Sequence, residues 1–282
     1  MKLISLLDQL AAAPATTATP RRALLQHLGR AAVAALPLAA ALPAAASTND
    51  TAYDALTQLL LLERLQLAFY TRALAVPGLI PTAQTADFQR LRTHQEQHVT
   101  FLTQALQGAG SLVPALPAFD FSGRRRVASN PELFPNVLSD YDAFLALAQQ
   151  LEDLGVRLYK THAFAVVNDL QLTLAVLRLH PVEAQHSAHV RGLRRGRGVV
   201  VENWPSDSDA AITRPAAAQI LTTAATGGEE NILQYQTPGK PIVFSDFLLI
   251  RDNTAIHDSA LPEAFDEPVN SAIAQAALNL FF

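Results

Sequence analysis

The sequence predicts an all-α protein built around a four-helix bundle. Four long segments carry apolar residues at intervals of three and four, which is the period of a helix that buries one face. Proline and glycine separate these segments. The connections between them are short, long and then very short, and the long one lets the chain cross the bundle between the second and third helices.

The first two helices are predicted over residues 51–76 and 85–107. In the first, apolar residues repeat at helical spacing until Pro77 and Gly78 end the pattern. The second helix ends at the glycines of 108–110. Because the connection between the two is short, they are expected to be antiparallel neighbours.

The third and fourth helices follow a long stretch that cannot be helical. Residues 111–136 contain four prolines, each of which removes a backbone donor and clashes with the preceding helical turn. Beyond them, the periodicity predicts a third helix over 140–165. The fourth is expected to run from an Asn168 cap to about Arg195, where glycines interrupt it.

The C-terminal residues, 199–282, carry proline and glycine at intervals and hold no long apolar segment. Two shorter helices are predicted here, over 215–226 and 269–280. Because neither offers enough apolar surface for a separate core, we expect this region to wrap around the bundle. The predicted organisation is therefore a bundle over 47–198 followed by a C-terminal extension.

The first 46 residues have the layout of an export signal. Residues 11–46 are mostly alanine and leucine, with a basic pair at Arg21 and Arg22 and a small-residue end at Ala46. The twin arginine followed by apolar residues resembles a Tat-type signal. An N-terminal anchor or an amphipathic helix is the alternative, although the apolar run is short for a membrane span. We expect a periplasmic or extracellular protein with no stable membrane anchor after signal cleavage.

The charge balance and the lack of cysteine exclude several classes of protein. With 21 basic and 25 acidic side chains the net charge is −4, so a nucleic-acid partner is not expected. A chain without cysteine has no thiol nucleophile, disulfide, iron–sulfur cluster or thiolate zinc site. Any metal ion must therefore be held by oxygen and nitrogen atoms.

Carboxylates and histidines of the kind that bind metal ions occur on the predicted helices. On the fourth helix, Glu183 and His186 form a Glu-x-x-His pair, which places both side chains on one face. Glu63 and Glu152 stand in apolar segments, where an unpaired carboxylate is costly to bury. With His98 on the second helix, they match most of a di-metal carboxylate bundle, which takes glutamate from two helices and Glu-x-x-His from the other two.

The second helix departs from that pattern at one position. Three residues before His98 stands Gln95 rather than a glutamate, and the nearest glutamate is Glu96. A two-residue offset turns a helical side chain by about 200°, so Glu96 points away from the face of His98. Gln95 keeps an oxygen donor but loses a charge. His94, one turn before His98, is an alternative nitrogen ligand.

Other residues near these positions have two interpretations each. Tyr70 and Tyr159 follow the candidate glutamates by seven residues, and they either hydrogen-bond to the site or pack in the core. The glutamates could instead lie at the polar edges of their helices. The arginines of 191–197 are expected to be cations that favour a helix C-terminus.

Several motifs of the helices and the tail occur together in one known family. They are Leu62-Glu63, Phe69-Tyr70, His98-Val99, Phe101-Leu102, Glu152, Gly155-Val156, Tyr159 and 183–186 in the helices, and 228–231, Gln234 and 263–268 in the tail. With them, residues 51–282 resemble the ferritin-like domain proteins related to the desiccation-associated proteins of plants, a group common among exported bacterial proteins. The resemblance implies a ferritin-like four-helix fold and, where the ligands are complete, a carboxylate-bridged di-iron or related di-metal centre. It implies no particular reaction.

Carried onto this chain, the resemblance implies an iron or manganese site made by six residues: Glu63, Gln95, His98, Glu152, Glu183 and His186. One hypothesis is an exported metalloprotein that oxidises metal ions or reduces peroxide or oxygen. The alternative is a non-catalytic bundle, stress-protective or structural, whose metal site has decayed to buried polar residues. Gln95 favours the alternative, whereas the retained carboxylates favour the metalloprotein. The sequence leaves open whether the chain is an enzyme and whether it forms oligomers.

Overall fold

Helices make up most of the structure, which is a computed structural model of the chain. It describes residues 46–163, 165–166, 168–227, 233–237, 240–243 and 267–282. Within these residues, no helix is both long and apolar enough to cross a membrane. Residues 1–45 of the predicted export signal lie outside the described residues, as do the tail motifs at 228–231 and 263–266.

Four long helices form the bundle: Ala46–Ala75 (α1), Thr82–Gly108 (α2), Tyr141–Ala163 (α3) and Leu170–Gly196 (α4). Helix α1 packs along α2, helix α3 packs along α4, and the two pairs meet mainly between α1 and α3. The long connection between α2 and α3 contains turns and bends but no helix or strand, in keeping with its prolines. The predicted all-α four-helix architecture is confirmed.

Helix α4 begins one residue later than predicted. Its N-cap is Asp169, which has an extended backbone and accepts a hydrogen bond on Oδ1 from the Leu172 backbone N–H at 2.9 Å. The prediction of Asn168 as the cap is therefore wrong. Asn and Asp cap helices about equally well, so two adjacent candidates cannot be separated by residue type. The helix then continues through Pro181 to its end.

Short elements follow the bundle. They are a 3₁₀ helix at Ala216–Ala218, helix α5 at Gln219–Thr226, strands β1 at Leu233–Thr237 and β2 at Lys240–Val243, helix α6 at Ser271–Leu278, and a 3₁₀ helix at Asn279–Phe281. Helices lie in both tail segments where the sequence predicts them. The two strands pair antiparallel, with Thr237 opposite Lys240. This hairpin was not predicted, because strands of four and five residues carry too little alternation to be recognised alone.

Arg191 of α4 holds the segment that follows the helix. Its guanidinium is fully buried and donates to both carboxylate oxygens of Asp153, at 3.0 and 2.7 Å. It also donates to Asp209 at 2.5 Å and to the carbonyl of Trp204 at 2.9 Å. Arg191 is therefore part of a buried ion-pair network, and the expectation of a simple C-terminal cation is wrong for this residue.

The later parts of the tail also contact the bundle and its long connection. Arg157 of α3 donates to the carbonyls of Thr223 and Ala224, at 3.1 and 2.8 Å, near the end of α5. Phe281 stacks on Phe134, with ring centroids 4.8 Å apart. These contacts agree with a tail that wraps around the bundle, while the predicted domain boundaries stay a prediction.

Gln58 and His162 join α1, α3 and α6. Nε2 of His162 lies 2.7 Å from Oε1 of Gln58, and Nε2 of Gln58 donates to the carbonyl of Ser271 at 2.8 Å. Burial lowers the pKa of His162 from 6.5 to about 4, because the interior disfavours the charged ring. The folded protein therefore keeps His162 neutral.

This burial predicts that acid destabilises the protein through His162. As the pH falls from 6.5 towards 4, the unfolded chain gains a proton on His162 that the folded protein does not accept. The free energy of unfolding should then decrease, by about 3 kcal/mol over the whole range. His162→Gln should remove this contribution. Urea unfolding of both proteins at about pH 7 and about pH 5 measures it, and an equal pH dependence in the two proteins would contradict the prediction.

Candidate metal centre

Five of the six predicted metal-binding residues come together in two groups inside the bundle. Glu63 of α1, His98 of α2 and Glu183 of α4 form the first group, and Glu152 of α3 with Glu183 and His186 of α4 form the second. Within each group, the candidate ligand atoms all lie within 4.8 Å of one another. All five residues are buried, and Glu183 belongs to both groups.

The helical period explains how these carboxylates enter the core. Side chains three or four residues apart share a helix face, so Glu63, four residues after the fully buried Leu59, also points into the interior. Glu152 follows the fully buried Ala148 in the same way on α3. The alternative, that the glutamates lie at the polar edges of their helices, is therefore wrong.

In the first group, one imidazole nitrogen faces carboxylates from two helices. Nδ1 of His98 lies 3.2 Å from Oε1 of Glu63 and 3.1 Å from Oε1 of Glu183. In the second group, Nδ1 of His186 lies 3.4 Å from Oε2 of Glu152 and also 3.4 Å from Oε1 of Glu183. The same oxygen of Glu183 thus approaches both histidines.

Two tyrosines hold the outer carboxylates in a reciprocal arrangement. The hydroxyl of Tyr70 on α1 donates to Glu152 on α3, while the hydroxyl of Tyr159 on α3 donates to Glu63 on α1 at 2.5 Å. Of the two interpretations of these tyrosines, hydrogen bonding to the site is therefore correct. Each tyrosine thus contacts the glutamate of the other helix and not the one seven residues before it on its own helix.

His94 lies outside the carboxylate cluster, behind His186. Its Nδ1 is 2.9 Å from Nε2 of His186, and the two rings stack at 5.1 Å. Burial and the neighbouring His186 lower the pKa of His94 to about 4. His94 therefore contacts a candidate ligand and does not replace Gln95 in the cluster. Glu96 is exposed, as its offset predicts, and pairs with Arg92 at 3.7 Å.

The sixth predicted residue, Gln95, is buried beside Glu183 and belongs to an amide pair. Its Nε2 donates to Oε1 of Gln66 at 3.1 Å and lies 3.5 Å from Oε1 of Glu183. Gln66, on α1, is a member of the site that sequence reasoning missed. A polar residue three positions after Glu63 on the same helix face was the available signal.

The bundle and its buried site agree with the comparison to known families. A family model described as a ferritin-like domain matches residues 51–195, which is half of the chain. The chain belongs to the ferritin-like domain family. No curated protein matches it. The matched region contains α2 and α3 whole, α1 from residue 51 onward and α4 up to residue 195, together with all six predicted metal-binding residues.

Burial shifts the pKa values of the outer carboxylates of this ferritin-like domain upward. Burial, and then the charge of Glu183, raises the pKa of Glu63 against the opposing effect of His98. The same two causes raise the pKa of Glu152 to about 7, against the opposing effect of His186. Three carboxylates buried so close together, those of Glu63, Glu152 and Glu183, favour the binding of a positively charged partner.

The central carboxylate of the ferritin-like domain behaves in the opposite way. Burial acts to raise the pKa of Glu183, but His186 and His98 outweigh it and hold the pKa well below its usual range. Burial acts to lower the pKa of each histidine, yet the nearby carboxylates raise both values to about 10. The cluster is thus organised around the negative charge of Glu183.

The donor set of this ferritin-like domain fits a metal ion such as iron or manganese. Carboxylate oxygens and imidazole nitrogens are the ligand types that these metals accept. Among the described residues, Oε1 of Gln95 is buried with no hydrogen-bond partner, and Oε2 of Glu152 makes no contact beyond its 3.4 Å ion pair with Nδ1 of His186. Buried polar atoms are normally satisfied, so these atoms are free to bind an ion held in the cluster.

Proposed function

We propose that the ferritin-like domain holds two divalent metal ions, iron or manganese, one in each of its two groups. Glu63, His98 and Glu183 would hold the first ion, and Glu152, Glu183 and His186 the second. The shared carboxylate carries the proposal, because Oε1 of Glu183 lies 3.1 Å from Nδ1 of His98 and 3.4 Å from Nδ1 of His186. Glutamate-bridged pairs of this kind are built in the core of such bundles.

The charge of the site favours divalent over trivalent ions. Glu63, Glu152 and Glu183 together balance three of the four positive charges of two divalent ions. Gln95 stands where a glutamate would supply the fourth. Because uncompensated charge is costly in a buried site, the more highly charged trivalent ions would be held less well.

The side chains of the chain would bind and orient the ions and keep water away. Tyr70 and Tyr159 each hold one oxygen of an outer carboxylate, and this fixes the direction in which the other oxygen points. Bound iron or manganese would supply one-electron redox chemistry. The reaction class that we infer is the oxidation of metal ions coupled to the reduction of peroxide or oxygen, in which each divalent ion gives up one electron and peroxide or oxygen accepts the electrons.

The metal content of the folded protein tests this proposal. After loading with Fe²⁺ or Mn²⁺ and removal of excess metal, elemental analysis should find two ions per chain. Circular dichroism on the same sample establishes that the helices are intact. A fully helical protein that retains neither metal would overturn the proposal.

Restoring a carboxylate with Gln95→Glu should strengthen metal binding. The added negative charge would complete the balance for two divalent ions, so the affinity for Mn²⁺ should rise about tenfold, which corresponds to about 1.4 kcal/mol. Gln97→Glu is the matched control, since it makes the same change two residues away on the exposed side of α2. A competition titration measures both variants, and an equal effect of the two would contradict the prediction.

A non-catalytic, stress-protective or structural bundle is the second candidate function. It is favoured by the contacts that the cluster makes without an ion, because both tyrosine hydroxyls donate to carboxylates and both histidines face carboxylates. A protein that keeps its helicity and thermal stability after loading, yet retains no metal, would support this candidate.

We also infer export and a place in the desiccation-related branch of the family. Residues 1–46 support export, with Arg21, Arg22 and the small residues before position 47. The motifs of residues 51–282 that resemble the desiccation-related proteins, among them 228–231 and 263–268, support the branch. In cell fractions, the full chain should be found outside the cytoplasm. With both Arg21→Lys and Arg22→Lys, the chain should stay in the cytoplasm. Arg30→Lys is the control and should be exported normally. Export that is unaffected by the double change would contradict a Tat route.

A further inference from the structure

Gln66 connects all four bundle helices at the candidate metal centre. From α1, its Nε2 donates to the carbonyl of Leu151 on α3 at 3.1 Å and, in a longer bond of 3.4 Å, to Oε2 of Glu183 on α4. Its Oε1 accepts from Nε2 of Gln95 on α2 at 3.1 Å. The side chain is fully buried. These contacts hold the amide in one orientation.

The two oxygens of Glu183 have different surroundings as a result. Oε1 faces the histidines of both groups, at 3.1 Å from His98 and 3.4 Å from His186. Oε2 lies next to the amide of Gln66. The bonds to Leu151 and Gln95 hold the Gln66 amide beside Oε2, so rotation of the Glu183 carboxylate would lose this contact.

Gly155 of α3 makes room for this arrangement. A Cβ atom at position 155 would lie 2.7 Å from Oε2 of Glu183 and 3.4 Å from Nε2 of Gln66. The first distance is too short for any real contact, so a side chain here would displace the carboxylate. Glycine allows the backbone of α3 to approach both polar groups closely.

We infer that Gln66 is a positioning residue for metal binding. By holding Oε2 of Glu183, it directs Oε1 towards both groups at once, so that one carboxylate serves two ions. This inference rests on the proposed two-ion site and gives a role to a residue of the site that is not one of the proposed ligands. Side chains that orient metal ligands typically change metal affinity by about 10- to 100-fold when they are replaced.

Titration of the full chain with Co²⁺ tests the inference, because the visible spectrum of Co²⁺ reports on its ligands. Gln66→Met keeps the length of the side chain but removes its hydrogen bonds. We expect the Co²⁺ affinity to fall by about 10- to 100-fold and the spectrum to change. Gln58→Met is the matched control, since Gln58 is a buried, hydrogen-bonded glutamine two turns earlier on α1. It should leave both the affinity and the spectrum unchanged.

The possible outcomes separate this inference from the proposed function. If wild type binds two Co²⁺ ions and Gln66→Met binds them with equal affinity and an unchanged spectrum, the positioning role is wrong while the two-ion site stands. If wild type binds no Co²⁺, both are overturned. Should Gln66→Met fail to fold, Gln66→Asn keeps the amide but shortens the side chain by one methylene, which withdraws the amide from Oε2 of Glu183, already 3.4 Å away. Normal Co²⁺ binding by that variant would also overturn the inference.

Discussion

Replacing Glu183 with alanine is expected to abolish the binding of both metal ions, the largest functional effect that the structure predicts. Glu183 is the one carboxylate that belongs to both groups of candidate ligands. By contrast, Glu63→Ala and Glu152→Ala each remove a ligand from a single group and should each abolish one ion. Titration with Mn²⁺ should therefore find no bound ion in Glu183→Ala and one bound ion per chain in each of the other two variants.

The matched control for these substitutions is Glu96→Ala. Glu96 lies on the exposed side of α2, where its contact with Arg92 is a surface ion pair of 3.7 Å. This variant should bind two ions, as wild type does. Retention of one ion by Glu183→Ala would mean that the two groups do not depend on a shared carboxylate.

Arg191→Met is expected to cause the largest loss of stability. The change leaves Asp153 fully buried and Asp209 largely buried without their cationic partner. Breaking one side of a buried ion pair typically costs about 3–5 kcal/mol, because a charge remains in the interior uncompensated. Urea unfolding followed by circular dichroism measures the free energy of unfolding of the variant against wild type.

Arg195→Met is the control for that measurement. Arg195 lies one turn further along α4, and its ion pair with Glu202 at 3.7 Å is half exposed. Exposed pairs contribute about 0–1 kcal/mol, so this variant should unfold almost as wild type does. A loss of about 1 kcal/mol or less in Arg191→Met would show that the buried network around Arg191 adds little to the stability of the bundle.

Local signals made the four helices predictable. The apolar period and the proline and glycine breaks act over a few residues, and they located all four helices. The pairing of Glu183 with His186 was predictable for the same reason, since a spacing of three residues along one helix places both side chains on the same face. The start of α4 shows the limit of such signals, because Asn168 and Asp169 are equivalent caps by residue type.

Contacts between distant parts of the chain were not predictable in this way. Gln66 meets residues from three other helices, and nothing near it in the sequence indicates those partners. Arg191 resembles its neighbouring arginines in the sequence, yet it is the one whose side chain is fully buried against Asp153. In both cases the burial and the partners arise only when the helices pack.

The sequence by itself therefore determined the all-α fold class, the positions of the bundle helices along the chain and the residue types that could hold a metal ion. Periodicity and spacing along one helix are sufficient for these. Only the tertiary structure decided that Glu183 is shared, that Tyr70 and Tyr159 exchange partners across the bundle, and that Gln66 contacts Oε2 of Glu183. The physical reason is that these relations depend on distances between helices, which the packing of the core sets.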